Sequence, residues 1–178
     1  MHKTNLYSVT IPPMIKTLKN LSAILDKAEK HAHARGTERR PGAIHMEALL
    51  NDRLVFDQFD LKRQIQTACD NGKAGAARLA GLDAPSFKDE ERSVAELKER
   101  IQKTVDFMQS IKAEQIMGQE ERLVSLPYWQ SKMTGFGYAT EYLMPNFYFH
   151  VSTAYSILRK NGVDIGKADY MGTLPFVD

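Results

Sequence analysis

The chain has 178 residues, enough for one domain spanning residues 1–178 to bury a core without disulfides or a structural metal. Its 24 Lys and Arg against 22 Asp and Glu leave a formal charge of +2, too small a footprint for dedicated nucleic-acid binding or docking on an anionic membrane. The single Cys69 permits neither an internal disulfide nor a cysteine zinc cluster; Met1 opens onto no apolar signal segment and no apolar run reaches the roughly 20 residues that span a bilayer, so the expected setting is cytoplasmic.

Residues 11 to 35 place Ile11, Met14, Leu18, Leu21, Leu25, Ala28 and Ala32 three and four apart, one apolar seam along a first helix. Thr10 is its expected cap, Pro12 and Pro13 suit its first turn, and Gly36 offers the stop. Thr37 to Gly42 reads as loop. The same alternation through Leu50, Leu54, Asp57, Leu61, Gln64, Ala68, Gly72, Gly75 and Leu79 predicts a long second helix ended by Gly81. Its Ala- and Gly-rich second half costs propensity but lets a neighbouring helix come close.

Leu82 to Glu91, with Pro85, reads as a connection. Ser93 and Glu96 have the spacing of a capping box, which starts a third helix whose seam, Val94, Leu97, Ile101, Val105, Met108 and Ile111, runs to about Glu114. From Glu120 the helical period fails. Arg122 to Leu126 and Phe136 to Thr140 read as two short strands around a polar turn, a hairpin expected to lie on the helices through Tyr128, Trp129, Phe136 and Tyr138. Pro145 suits the first position of a fourth helix with Phe147, His150, Ala154 and Ile157 on one face, stopped by Asn161-Gly162. Val163 to Asp178 reads as irregular. The expected fold is all-α: a four-helix bundle with a small β-hairpin inserted between the third and fourth helices.

A bundle seam is normally apolar, because burying an unpaired amide, imidazole or carboxylate costs a few kcal/mol or more, on the order of 2–7 for a neutral group. Asp57, Gln64 and His150 break that pattern. If the helices alternate in direction, the second and fourth run parallel and Asp57 and His150 meet at similar depth. Such a pair is an ion pair, a carboxylate orienting an imidazole, or two ligands of a metal; an Asp–His or Gln–His hydrogen bond that sets helix register is the plainer alternative. Asn146 lies one turn before His150 on nearly the same face, but an amide is a poor metal donor.

The remaining candidates read as structural. His31 and His33, two apart near a helix C-terminus, suit solvated positions that favour the helix dipole; His45 precedes the second helix and His2 lies at the chain end. Cys69 adjoins Asp70 and reads as a core thiol. Ser125 and Ser152 sit in no nucleophile motif, and Arg35, Arg39 and Arg40 read as a solvated loop without the aromatic interleaving of a nucleic-acid surface. Tyr142, Phe147, Tyr148, Phe149 and Tyr155 crowd the fourth helix as core or as the lining of a pocket.

Four strings carry a resemblance: Leu21-Ser22-Ala23-Ile24-Leu25-Asp26-Lys27-Ala28; Gln64 to Asp70 with Ala76-Ala77-Arg78-Leu79-Ala80-Gly81; Pro145-Asn146-Phe147-Tyr148-Phe149-His150; and Gly162-Val163-Asp164-Ile165-Gly166-Lys167 with Asp169-Tyr170. Over nearly the whole chain they resemble an uncharacterised bacterial family, a domain of unknown function within the DinB/YfiT-like superfamily. That resemblance implies a four-helix bundle and, in better-known members, three histidines holding a divalent metal; thiol-dependent transferases and a maleylpyruvate isomerase are among them. Here His150, with Leu158-Arg159 and Gly162 at the fixed distance beyond it, matches the second histidine of the fourth helix. Asn146 stands where the first would be, and the second helix offers Asp57 and Gln64 but no His.

Three readings stand side by side. One is a small-molecule enzyme with a degenerate metal site, His150 and Asp57 as ligands of zinc, nickel, iron or manganese or as an acid-base pair, with Gln64 and Asn146 as polar pocket residues. A second is a metal-free bundle that binds a small molecule without catalysis. The third is a structural or homodimeric bundle in which His150 only satisfies Asp57 or Gln64.

Overall fold

In a computed structural model, which describes residues 4–176, helix α1 runs over Leu6–Ala34. It starts earlier than its apolar seam, because Asn5 caps it and forms a reciprocal box with Ser8. Thr10 is therefore no cap but a buried helical residue whose hydroxyl donates to Leu6 O at 2.6 Å. Pro12 and Pro13 lie inside the helix, beyond its first turn. The carbonyls left without a donor belong to Ser8 and Val9, both exposed, so water can serve them.

The single long helix expected around Leu50 to Ala80 is two. Helix α2 covers Gly42–Leu50 and α3 covers Leu61–Ala80. Between them the chain folds back on itself: Leu61 N donates to Asp52 O at 2.9 Å, and the Asp60 side chain caps α3 by accepting from Arg63 N at 2.9 Å. The three-four alternation through Leu54 and Asp57 is thus a coincidence of spacing in a loop. Gly81 ends α3 in the left-handed conformation, φ 71°.

Helix α4, Val94–Ser110, opens with the Ser93–Glu96 capping box and stops at extended Ile111, short of Glu114. A 3₁₀ turn, Ala113–Gln115, leads to the antiparallel pair β1, Leu123–Ser125, and β2, Lys132–Thr134, with Val124 opposite Met133. The hairpin is present, but Phe136 to Thr140 is helical. Thr134 caps a helical turn α5, Gly135–Gly137, which runs through a π-helical stretch, Tyr138–Leu143, into α6, Met144–Lys160. The wide turn suits Pro145, which has no N–H to continue an α-helical ladder; Met144 N bonds back to Ala139 O. The expected packing residues divide: Tyr138 is buried, whereas Tyr128, Trp129 and Phe136 face solvent. The segment after Gly162 holds a short helix α7, Lys167–Met171, rather than being irregular throughout.

Residue contacts set the helix directions. Gln64 meets His150, Asn71 meets Asn146, and Leu143 fills the notch at Gly75, so α3 and α6 are antiparallel neighbours, not parallel ones. Asp70 meets Arg100 and Gly72 meets Met108, so α3 and α4 are parallel. Asp26 pairs with Lys98 while Leu18 and Met108 both meet Gly72, making α4 antiparallel to α1. Two consecutive parallel helices need a crossover as long as themselves. Helix α3 rises about 30 Å over its length, and residues 81–93, extended, span roughly 40 Å. This strap returns along the α3–α4 groove. Buried Arg100 holds it through Asp89 at 2.8 Å and Glu91 at 2.9 Å, with Phe87 under Arg100 and Lys73. The core is one cluster in which Leu18, Leu25, Ile65, Leu97, Val105 and Phe147 are fully covered. No helix among the described residues is long and apolar enough to cross a membrane.

Candidate functional site

His150 sits on the inner face of α6, 8 % exposed, where α6 leans on the first turns of α3. Its Nδ1 lies 2.6 Å from Oε1 of Gln64, itself 1 % exposed. The other end of the Gln64 amide settles who donates. Gln64 Nε2 gives a hydrogen bond to Phe59 O at 3.2 Å, so its Oε1 faces His150 and can only accept. Nδ1 therefore carries the proton, and Nε2 of a neutral ring carries the lone pair.

The ring is held on both sides. Phe59 stacks on it at 6.3 Å between centroids and 17°, and Phe149 meets it edge-on at 5.3 Å and 85°. Burial, and then the positive charge of Arg63, push the imidazole pKa below its ordinary value, favouring the neutral form. Arg63 lies over the Phe59 ring and pairs with Asp89 of the strap. Nε2 has no hydrogen-bond partner among the described residues. Nε2 is not among the fully sealed, unpartnered side-chain atoms of the described residues, which are Gln58 Oε1, Asn71 Nδ2, Arg100 Nε and Thr104 Oγ1, so it keeps a small contact with solvent.

The other sequence candidates are placed differently. Asp57 is exposed in the turn between α2 and α3, and no hydrogen bond or ion pair joins it to His150 among the described residues. Asn146 is one turn from His150, but its Nδ2 donates to Oδ1 of Asn71 at 3.3 Å. Sequence spacing does not single out Phe59, Arg63 or Asn71. An aromatic next to an Asp cap is a signal for Phe59; Asn71 and Arg63 carry none. His31 is partly covered and His33 exposed near the end of α1, while His45 lies inside α2; His2 falls outside the described residues.

The donor set does not fit a resident divalent metal. His150 supplies one nitrogen, the facing Gln64 oxygen is spent on Nδ1 of the same ring, and the Asn71–Asn146 amides pair with each other. Among the described residues no group of three or more His, Cys, Asp or Glu side chains is arranged to hold a metal. What the arrangement can do is accept a proton or a hydrogen bond at Nε2 beside an aromatic wall.

Running up, down, down and up, with a crossover strap after α3 and a hairpin before α6, the chain is a four-helix bundle protein. Residues 6–171 match the model of DUF1993, a domain of unknown function, and the chain belongs to that family. It is similar to a DinB family member of Shewanella denitrificans known from a crystal structure: 42 % identity over 97 % of this chain and 95 % of that one, with a TM-score of 0.89. No curated protein matches.

Proposed function

We propose that this DUF1993 protein is a small-molecule binding bundle in which Nε2 of neutral His150 accepts a hydrogen bond or proton from the ligand without a metal. The observation that carries this reading is the chain Phe59 O, Gln64, His150, which spends a buried amide on presenting one ring nitrogen with its lone pair free. A depressed pKa keeps that nitrogen unprotonated near neutral pH, the state a general base needs. Phe59 and Phe149, each about half exposed, supply apolar walls beside it.

The test is a long-range ¹⁵N NMR spectrum of the imidazoles, followed by a titration of small acids and alcohols read at Nε2 of His150. The expected result is the Nδ1–H tautomer, with a ligand-induced shift at Nε2 that Gln64→Leu weakens. An Nε2–H tautomer overturns the reading. So does stoichiometric zinc, nickel, iron or manganese in tag-free protein that a folded His150→Ala variant lacks.

A further inference from the structure

The fold gathers three basic side chains that the site above does not use. The last turns of α1, the outer side of α2 and the end of α6 enclose a surface cleft of about 380 Å³, lined by His31, Arg35, His45, Asn51, Asp52 and Asn161 together with apolar wall atoms. His31 and Arg35 are four apart on α1 and so share a face, and both lie over Gly162: a Cβ built there would meet Arg35 Nη2 at 3.2 Å and His31 Cε1 at 3.7 Å. His45 joins them from α2, across the loop. None of the three makes a hydrogen bond or ion pair with the described residues.

The other polar groups in the cleft are already spent. Asp52 accepts from Asn161 at 2.6 Å, pairs with Lys160 at 3.1 Å and takes the Arg53 N–H at 2.8 Å. Asn161 also donates to Ile157 O, and Asn51 donates to Glu47 O. The one carboxylate is neutralised, and the donors left over are a guanidinium and two imidazoles. Helices α1, α2 and α6 all end here, and their terminal carbonyls make basic side chains cheap to keep.

We propose that this cleft binds a small oxyanion, a phosphate or a carboxylate, with Arg35 as the forked anchor and His31 and His45 as the flanking donors. A pocket of a few hundred Å³ suits a small metabolite rather than a macromolecule. Gly162, at φ 84°, keeps the floor low enough for the Arg35 fork to lie over it.

The test uses the full chain at fixed ionic strength, titrated separately with sodium phosphate and with succinate and read from the His31 and His45 imidazole resonances. Saturation by either anion at millimolar concentration is expected, and the anion that saturates identifies the oxyanion class. Arg35→Ala is expected to weaken binding by about tenfold or more, the loss of one charge-assisted contact; His33→Ala, on the same helix but outside the cleft, is expected to leave it unchanged. Failure of both anions to saturate overturns the proposal. Equal binding by folded Arg35→Ala overturns it too, as does equal weakening by His33→Ala, which would mark a diffuse charge effect.

Discussion

The Nδ1–H of His150 is donated to Oε1 of Gln64 across the α3–α6 interface at 2.6 Å, and Gln64 passes the constraint on to the loop through Phe59 O. Two helices and a loop are thereby tied to the tautomer of one ring. Replacing Gln64 by Leu keeps the volume but leaves Nδ1–H facing methyl groups. The expected cost is about 1–3 kcal/mol, the desolvation penalty of an orphaned donor, measured by urea unfolding. The same variant loses the tautomer preference, seen in the ¹⁵N shifts of His150. A Gln64→Leu protein with wild-type stability and tautomer would show that the bond constrains nothing.

His150 also gives stability a definite pH dependence. Its folded pKa lies below the ordinary histidine value because burial, and next Arg63, disfavour the cation. The unfolded chain therefore binds the proton first as pH falls, and stability rises with pH wherever the unfolded state holds more protons. The contribution is complete above the unfolded value near 6.5 and is lost as pH drops from there toward the lowered folded value. The Tm of the wild type should fall through that window more steeply than that of His150→Gln, which cannot titrate. Parallel curves for the two proteins would place the acid sensitivity elsewhere.

What the sequence showed depended on whether local spacing or tertiary contact decided the outcome. The α4 start was legible because Ser93 and Glu96 sit next to each other in space as in sequence. Gly81 and Gly162, both at positive φ, were legible as stops for the same reason. The break between α2 and α3 was not, because Leu54 and Asp57 keep the helical spacing through a turn that Leu61 N closes on Asp52 O, and Asp52 is held in turn by Lys160 and by Asn161 just past α6, more than a hundred residues away. That missed break is also why Asp57 looked like a seam residue. The antiparallel pairing that brings Gln64 rather than Asp57 to His150 follows from the crossover strap, whose anchor, Arg100, was hidden among ordinary helical charges.

Arg100 itself should be costly to remove. Its guanidinium is 1 % exposed and meets Asp70, Asp89 and Glu91 at 2.8 to 2.9 Å; without it Asp70 keeps Lys73 and Asp89 keeps Arg63, but the largely covered Glu91 loses its cation. Breaking a buried ion pair from one side costs about 3–5 kcal/mol. Asp70 and Asp89 are each about one-third exposed, and water there places Arg100→Ala at the low end. Denaturant unfolding measures the loss, and protease cutting within residues 82–93 should rise with it. A strap as protected as the wild type's would show that Phe87 and its neighbours hold it unaided.

Cys69 is completely buried, and burial pushes its thiol pKa up to about 12. Since the thiolate is the reactive species, native protein at neutral pH should resist iodoacetamide, and labelling should appear only with the unfolding transition. Rapid labelling of the folded chain would reveal an opening of the α3–α4 interface.

Gly75 tests how closely α3 and α6 must approach. A Cβ at that position would sit 2.2 Å from Leu143 Cδ1, 2.6 Å from Cδ2 and 2.9 Å from Cγ, and Leu143 is 1 % exposed with nowhere to retreat. Alanine gains roughly 1 kcal/mol in helix propensity over glycine, whereas overpacking a filled core costs about 1–3 kcal/mol. Contact with three atoms of one branched side chain places the cost at the upper end, so Gly75→Ala should lose about 1–2 kcal/mol net. The companion Gly75→Ala/Leu143→Ala protein, with space restored for the new methyl group, should show favourable coupling: its total loss is less than the sum of the two single losses. Additive losses would mean that the helices shift apart freely and that the notch does not set their spacing.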